Sequence, residues 1–181
     1  MKGVVFSEFI EMVEERFSPA IADRMIELAH VPSGGAYTAV GTYSHEEMLA
    51  LVGTLSTLTG VPVPELVRAY GHHLFQRFTA LYPSFFEGVT SAFEFLARIE
   101  NHVHLEVRKL YPDAELPRFD TPQRDERHMV MLYESRRPFA TLALGLIEGC
   151  LQHWGEQADV TMTDLSEPGI TRVRFDITRR A

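Results

Sequence analysis

Cysteine, lysine and tryptophan are scarce in this chain of 181 residues, and it has no long apolar run. Cys150 stands alone, which excludes an intramolecular disulfide and any multi-cysteine zinc or iron–sulfur centre. A reducing, cytoplasmic setting is the simplest expectation for such a chain. No apolar stretch approaches the ~18 residues of a membrane span, and no membrane partner is expected. The N-terminal MKGVVF leads directly into an amphipathic segment with Glu8, Glu11, Glu14 and Glu15, which is not the pattern of a signal peptide. Basic charge is also short: 17 basic against 25 acidic residues leave a formal net charge of −8, with no electrostatic footprint for nucleic acid. Lys2 and Lys109 are the only lysines. Arginine's fixed fork suits carboxylate or phosphate recognition, although biased codon usage accounts for the preference equally well. A Gly-rich phosphate loop and a nucleophile elbow are both missing.

What remains is an ordinary globular composition, with 45% hydrophobic and 23% charged residues. A chain of this length buries roughly 70% of its unfolded surface, enough for a core with an enclosed ligand. The first two thirds read as helices. Val4, Val5, Phe9, Ile10, Met12, Val13 and Phe17 carry a helical period, and Ser18-Pro19 opens a second helix to about His30. A turn-rich segment follows, with Tyr37 and Tyr43 placed on short strands. Ser44 with Glu47 forms a capping box opening a helix to about Leu58. Further helices are expected over 63–81 and, as one long element, over 91–110. After Tyr111-Pro112-Asp113 the period changes: 116–119 and 127–134 read as extended, 138–154 as helix, and 159–164 with 170–178 as a hairpin. The class is α+β: a helical N-terminal subdomain (about 1–62), then a helix-plus-antiparallel-sheet portion (about 63–181).

Two constellations carry possible chemistry. On a helix, His102 and His104 point about 200° apart and cannot share one metal. His104 falls on the rim of the apolar stripe Phe93, Leu96, Ile99, Val103, Val107 and Leu110, whereas His102 turns toward solvent. His104 is therefore a single candidate ligand or a half-buried histidine hydrogen-bonded to its surroundings. In YESRRP at 133–138, alternation along a strand puts Tyr133, Ser135 and Arg137 on one face. Two hydroxyls and a guanidinium converge there, suited to one or two carboxylates or a phosphate; a polar strand edge is the plainer reading. His72, His73, Cys150 and His153 have ordinary roles. No Ser/His/Asp or Cys/His arrangement has the context of an enzyme.

Taken together, these residues resemble the haem-nitric oxide/oxygen binding family, H-NOX, which also supplies the sensory domain of soluble guanylate cyclase. The resemblance rests on Met1-Lys2-Gly3, on VHLEVRKLYPDAELPRF at 103–119 and on YESRRPFATLALGLIEG at 133–149, and it covers essentially the whole chain. Within the last segment, Tyr133, Ser135 and Arg137 match the family's Y-x-S-x-R signature. The resemblance implies haem b as cofactor, with His104 as axial iron ligand. It implies that Tyr133, Ser135 and Arg137 clamp the haem propionates and that Pro117 presses on the porphyrin.

The resemblance also places the distal gas pocket at Val5, Phe9, Leu74, Phe78, Leu142 and Leu146, all apolar. Oxygen-binding relatives place a tyrosine at the position of Leu142. Bound oxygen takes partial superoxide character and gains from a hydrogen-bond donor, whereas nitric oxide gains little. A donor-free pocket therefore points to a nitric oxide sensor that also binds carbon monoxide, with an oxygen sensor or carrier as the alternative. An inward-facing His72 or His73 would supply a donor and reverse this. The expected signal is a His104-linked conformational change passed in trans to a partner, such as a histidine kinase or a diguanylate cyclase or phosphodiesterase.

Overall fold

The computed structural model describes residues 1–180; Ala181, at the end of the expected second portion, lies outside them. Seven helices precede or cross a four-stranded sheet: α1 (Gly3–Arg16), α2 (Pro19–Ala29), α3 (His45–Thr59), α4 (Val63–Leu81), α5 (Ala92–Arg98), α6 (His104–Leu110), β1 (Arg118–Arg124), β2 (His128–Ser135), α7 (Ala140–His153), β3 (Ala158–Asp164) and β4 (Thr171–Arg179). The class is α+β. No single helix among the described residues is long and apolar enough to cross a membrane.

Local sequence explains most boundaries. Ser18 caps α2 by accepting from the Ile21 N–H at 3.2 Å, with Pro19 in the first turn. Ser91 caps α5 through the Glu94 N–H. Gly60 ends α3 at φ 74°, a left-handed conformation that glycine adopts without a Cβ penalty. The Ser44–Glu47 capping box does not form. Ser44 accepts from the Glu46 N–H, and the Glu47 carboxylate instead takes the hydroxyls of Ser33 (2.5 Å) and Tyr37 (2.9 Å), fastening the preceding loop to α3. That loop contains no strand; an isolated bridge pairs Lys2 with Thr42. The first strand after α6 starts at Arg118 rather than 116, and α7 starts at Ala140 rather than 138. The expected helix over 91–110 is broken by a π-helical turn at Ile99–Val103.

The sheet is antiparallel throughout, in the order β1-β2-β4-β3. Met129, Met131 and Tyr133 stand opposite Ile177, Phe175 and Val173, and all six are buried against α5 and α7. A second apolar cluster joins α1, α2, α3 and the first half of α4. Helix α4 serves both clusters, with Leu66, Tyr70 and Leu74 in one and Phe75 in the other, and Leu146 of α7 packs against both.

Helices α4 and α7 cross at near backbone contact. A Cβ added to Gly145 would lie 2.2 Å from the Arg68 carbonyl oxygen and 2.9 Å from the Gly71 Cα. Only glycine permits this approach. Gly145→Ala should force the two helices apart and cost about 1–3 kcal/mol, read as a lower urea midpoint with an unchanged slope.

Candidate functional site

The π turn determines where His104 points. Its N–H bonds back to the Ile99 carbonyl, one residue further than in an α-helix, so the helix beyond is re-phased by about 100°. The apolar stripe expected to run on through Leu110 is broken accordingly: Leu110 is 58% exposed and His104 only 8%. His102 faces solvent.

Glu100, in the same turn, fixes the imidazole. Its Oε2 lies 3.0 Å from His104 Nδ1 and accepts the Phe119 N–H at 3.1 Å, while Oε1 accepts from Arg108 at 3.0 Å. Burial alone would raise the Glu100 carboxyl, but the Arg108, Phe119 and His104 bonds together hold it below its ordinary range. Burial of His104 outweighs the pull of Glu100 and keeps the ring neutral, the form in which histidine binds metal. With Nδ1 protonated toward Glu100, Nε2 carries the lone pair, and no described residue hydrogen-bonds it. Glu100 went unnoticed in the sequence, although its i,i+4 spacing to His104 was a usable signal.

Strand pairing then brings the second group to the first. Phe119 pairs with Tyr133 across β1 and β2, and its ring bridges His104 (centroids 5.8 Å) and Tyr133 (5.5 Å). Tyr133 is buried, which pushes its phenol up; Ser135, the Phe139 N–H and Arg137 oppose this. Arg137 is not on the strand. It lies in the bend after Ser135, whose hydroxyl accepts the Arg137 N–H at 3.0 Å. The guanidinium donates to the Glu115 carbonyl (3.2 Å) and ion-pairs with the Glu115 carboxylate. Glu115 belongs to the same connection as half-buried Pro117, so Arg137 is tied to the segment between α6 and β1.

The six distal candidates lie on α1, α4 and α7. Phe9 and Leu74 are fully buried, while Val5, Phe78, Leu142 and Leu146 are only partly covered although they adjoin the apolar clusters. Tyr70 borders them, an unanticipated residue one helical turn before Leu74. Its ring edge meets Phe9 at 5.1 Å, and its hydroxyl donates to the Val5 carbonyl. Of the two histidines of α4, His72 bonds Glu148 of α7 at 3.0 Å, whereas His73 is buried 3.9 Å from Glu8 and 3.8 Å from Glu15 of α1, and its Nε2 has no hydrogen-bond partner among the described residues.

The profile of the family described as Haem-NO-binding matches residues 2–162. The chain belongs to this family, the H-NOX domains. The crystal structure of the Fe(II) unliganded H-NOX protein from K. algicida is 37% identical, superposes with a TM-score of 0.93, and is matched over 100% of this chain and 97% of that one. An H-NOX protein mutant from S. oneidensis in the Fe(II) ligation state is 22% identical, with a TM-score of 0.91 and the same coverage. A mutant of the T. tengcongensis H-NOX is 24% identical, with a TM-score of 0.89 and coverage of 100% and 98%. No curated protein matches the chain.

H-NOX domains are haem-based gas sensors, and the residues present fit a haem. One buried imidazole has a fixed tautomer and an unengaged Nε2, a guanidinium and two hydroxyls supply donors for carboxylates, and apolar side chains surround them. Helix α6 packs on its π turn and, through Val107, against the sheet-side core.

His73 gives this site region a pH dependence. Burial holds its pKa below the ordinary 6.5, against the pull of Glu15 and Glu8. Below 6.5 the unfolded chain binds a proton that the folded one refuses, so this contribution to stability is lost as pH falls toward the folded value. His73→Gln should lessen the drop in unfolding midpoint between about pH 7 and about pH 5.

Proposed function

We propose that this chain is a nitric oxide sensor that holds haem b through His104 and signals to a separate protein. The observation that carries the reading is the imidazole of His104, buried, neutral and held by Glu100 with Nε2 left for a metal. Bound haem supplies an iron site for a diatomic gas. His104 ligates it, Tyr133, Ser135 and Arg137 grip its propionates, and Pro117 presses on its ring. Val5, Phe9, Leu74, Phe78, Leu142 and Leu146 line the opposite side. They offer no donor to stabilise oxygen, and the bordering phenol of Tyr70 gives its proton to the Val5 carbonyl. Nitric oxide and carbon monoxide need no such donor.

The signal runs through the residues that grip the group. A change in tension at His104 lets α6 and the Pro117 connection move relative to α1, α4 and α7. In this reading the chain divides at about residue 62, with α4 serving both cores. The partner is a histidine kinase or a diguanylate cyclase or phosphodiesterase, and no catalysis is assigned to this chain. Its acidic charge steers a basic patch on that partner, so binding weakens with salt. A reducing cytoplasm suits the lone Cys150.

The visible spectrum of the reduced, purified protein tests this. A haem spectrum should appear, ignore air, and shift with carbon monoxide and nitric oxide. A stable six-coordinate oxy spectrum in air would establish the oxygen alternative, and colourless protein expressed with ample haem would remove the reading altogether. His104→Ala should abolish the histidine-ligated ferrous spectrum. Arg137→Gln should release haem roughly 10- to 100-fold faster to an apomyoglobin acceptor, the equivalent of losing one charged hydrogen-bond contact.

A further inference from the structure

Glu100 does more than a helix-surface ion pair does. Its carboxylate joins three groups: the His104 ring at the start of α6, the Phe119 N–H at the start of β1, and the Arg108 guanidinium one turn further along α6. The group is part-buried, with side-chain exposures of 11% for His104 and 26% for Glu100, so its charge is screened less than a surface charge would be. An anionic acceptor on Nδ1–H pushes electron density through the ring to Nε2, as carboxylate partners of metal-bound histidines do. A backbone carbonyl or a water in that place pushes less.

We propose that Glu100 is a positioning residue that sets the donor strength of His104 toward haem iron and ties that donor mechanically to β1 through Phe119. The inference rests on His104 being the axial ligand. Arg108 opposes the effect: its guanidinium draws charge from the same carboxylate, so the strength reaching His104 is a balance between the two. Through the Phe119 N–H, any displacement of His104 pulls on the strand that pairs with Tyr133. Ligand and propionate clamp are thus coupled by protein hydrogen bonds.

The test uses two variants of the haem-loaded protein with a readout other than signalling. Glu100→Gln keeps the side-chain shape and an oxygen toward Nδ1 but removes the charge; Arg108→Gln removes the opposing charge. The iron–histidine stretching band of the reduced protein, read by resonance Raman, should fall in frequency for Glu100→Gln and rise for Arg108→Gln. The reduction potential should become more positive in the first and more negative in the second. A purely structural Glu100 would leave the band and potential at wild-type values in haem-loaded Glu100→Gln, and that result overturns the proposal. So does an Arg108→Gln shift in the same direction as Glu100→Gln. If Glu100→Gln fails to fold or to hold haem, the Arg108→Gln shift alone decides, an unchanged or lowered band overturning the proposal. Survival of the wild-type iron–histidine band in His104→Ala would instead remove the ligand assignment on which the inference rests.

Discussion

The wide turn at Ile99–Val103 is the constraint on which the site depends. A continuous α-helix would carry the apolar stripe on to Leu110 and leave His104 at its edge. The i−5 bond from His104 to Ile99 leaves Leu110 exposed and turns the imidazole inward, while Val103 and Val107 still pack on the sheet-side core, and Glu100 bonds the ring. A π turn forgoes regular α-helical hydrogen bonding, and such turns recur at functional sites. Here the turn converts one helix into two short ones, α5 locked into the sheet-side core and α6 resting on it through Val107.

The surrounding protein is built to hold that offset. The α4–α7 crossing, closed to backbone contact at Gly71 and Gly145, forms a rigid spine shared by both apolar clusters. The β1–β2 pairing brings Phe119 and Tyr133 together, and Arg137 ties the Glu115–Pro117 connection to the strand end. The α6–β1 connection is tied to the rest of the chain by the hydrogen bonds around Glu100 and Arg137 and by Asp113, which pairs with Lys2 and accepts from Thr42. Such contacts are directional and can be exchanged, unlike the packed cores on either side.

Features encoded in side-chain pattern were legible. Ser18 caps its helix as its chemistry requires, and Val173, Phe175 and Ile177 bury the alternating face expected of a strand. The donor set Tyr133, Ser135 and Arg137 could be named, although Arg137 proved to lie beyond the strand. Features encoded in backbone hydrogen bonding were not legible. The π turn leaves the residue types unchanged and alters only which carbonyl each N–H meets, so periodicity passed over it. Glu47 looked like a capping-box partner because sequence spacing cannot show that Ser33 and Tyr37 fold back to claim its carboxylate. Tyr70 was indistinguishable from any other aromatic on a buried helix face, and its bond to the Val5 carbonyl arises only across the α1–α4 contact.

One histidine, one carboxylate and one wide turn make the candidate haem site of this H-NOX domain. The most direct test is a crystal structure of the reduced, haem-loaded protein at a resolution that separates the two ring nitrogens by their contacts. The account predicts iron bonded to His104 Nε2, with Nδ1 still on Glu100 and a propionate beside Tyr133, Ser135 and Arg137. Iron on another side chain, or His104 turned so that Nδ1 faces the metal and Glu100 has no ring partner, would contradict it.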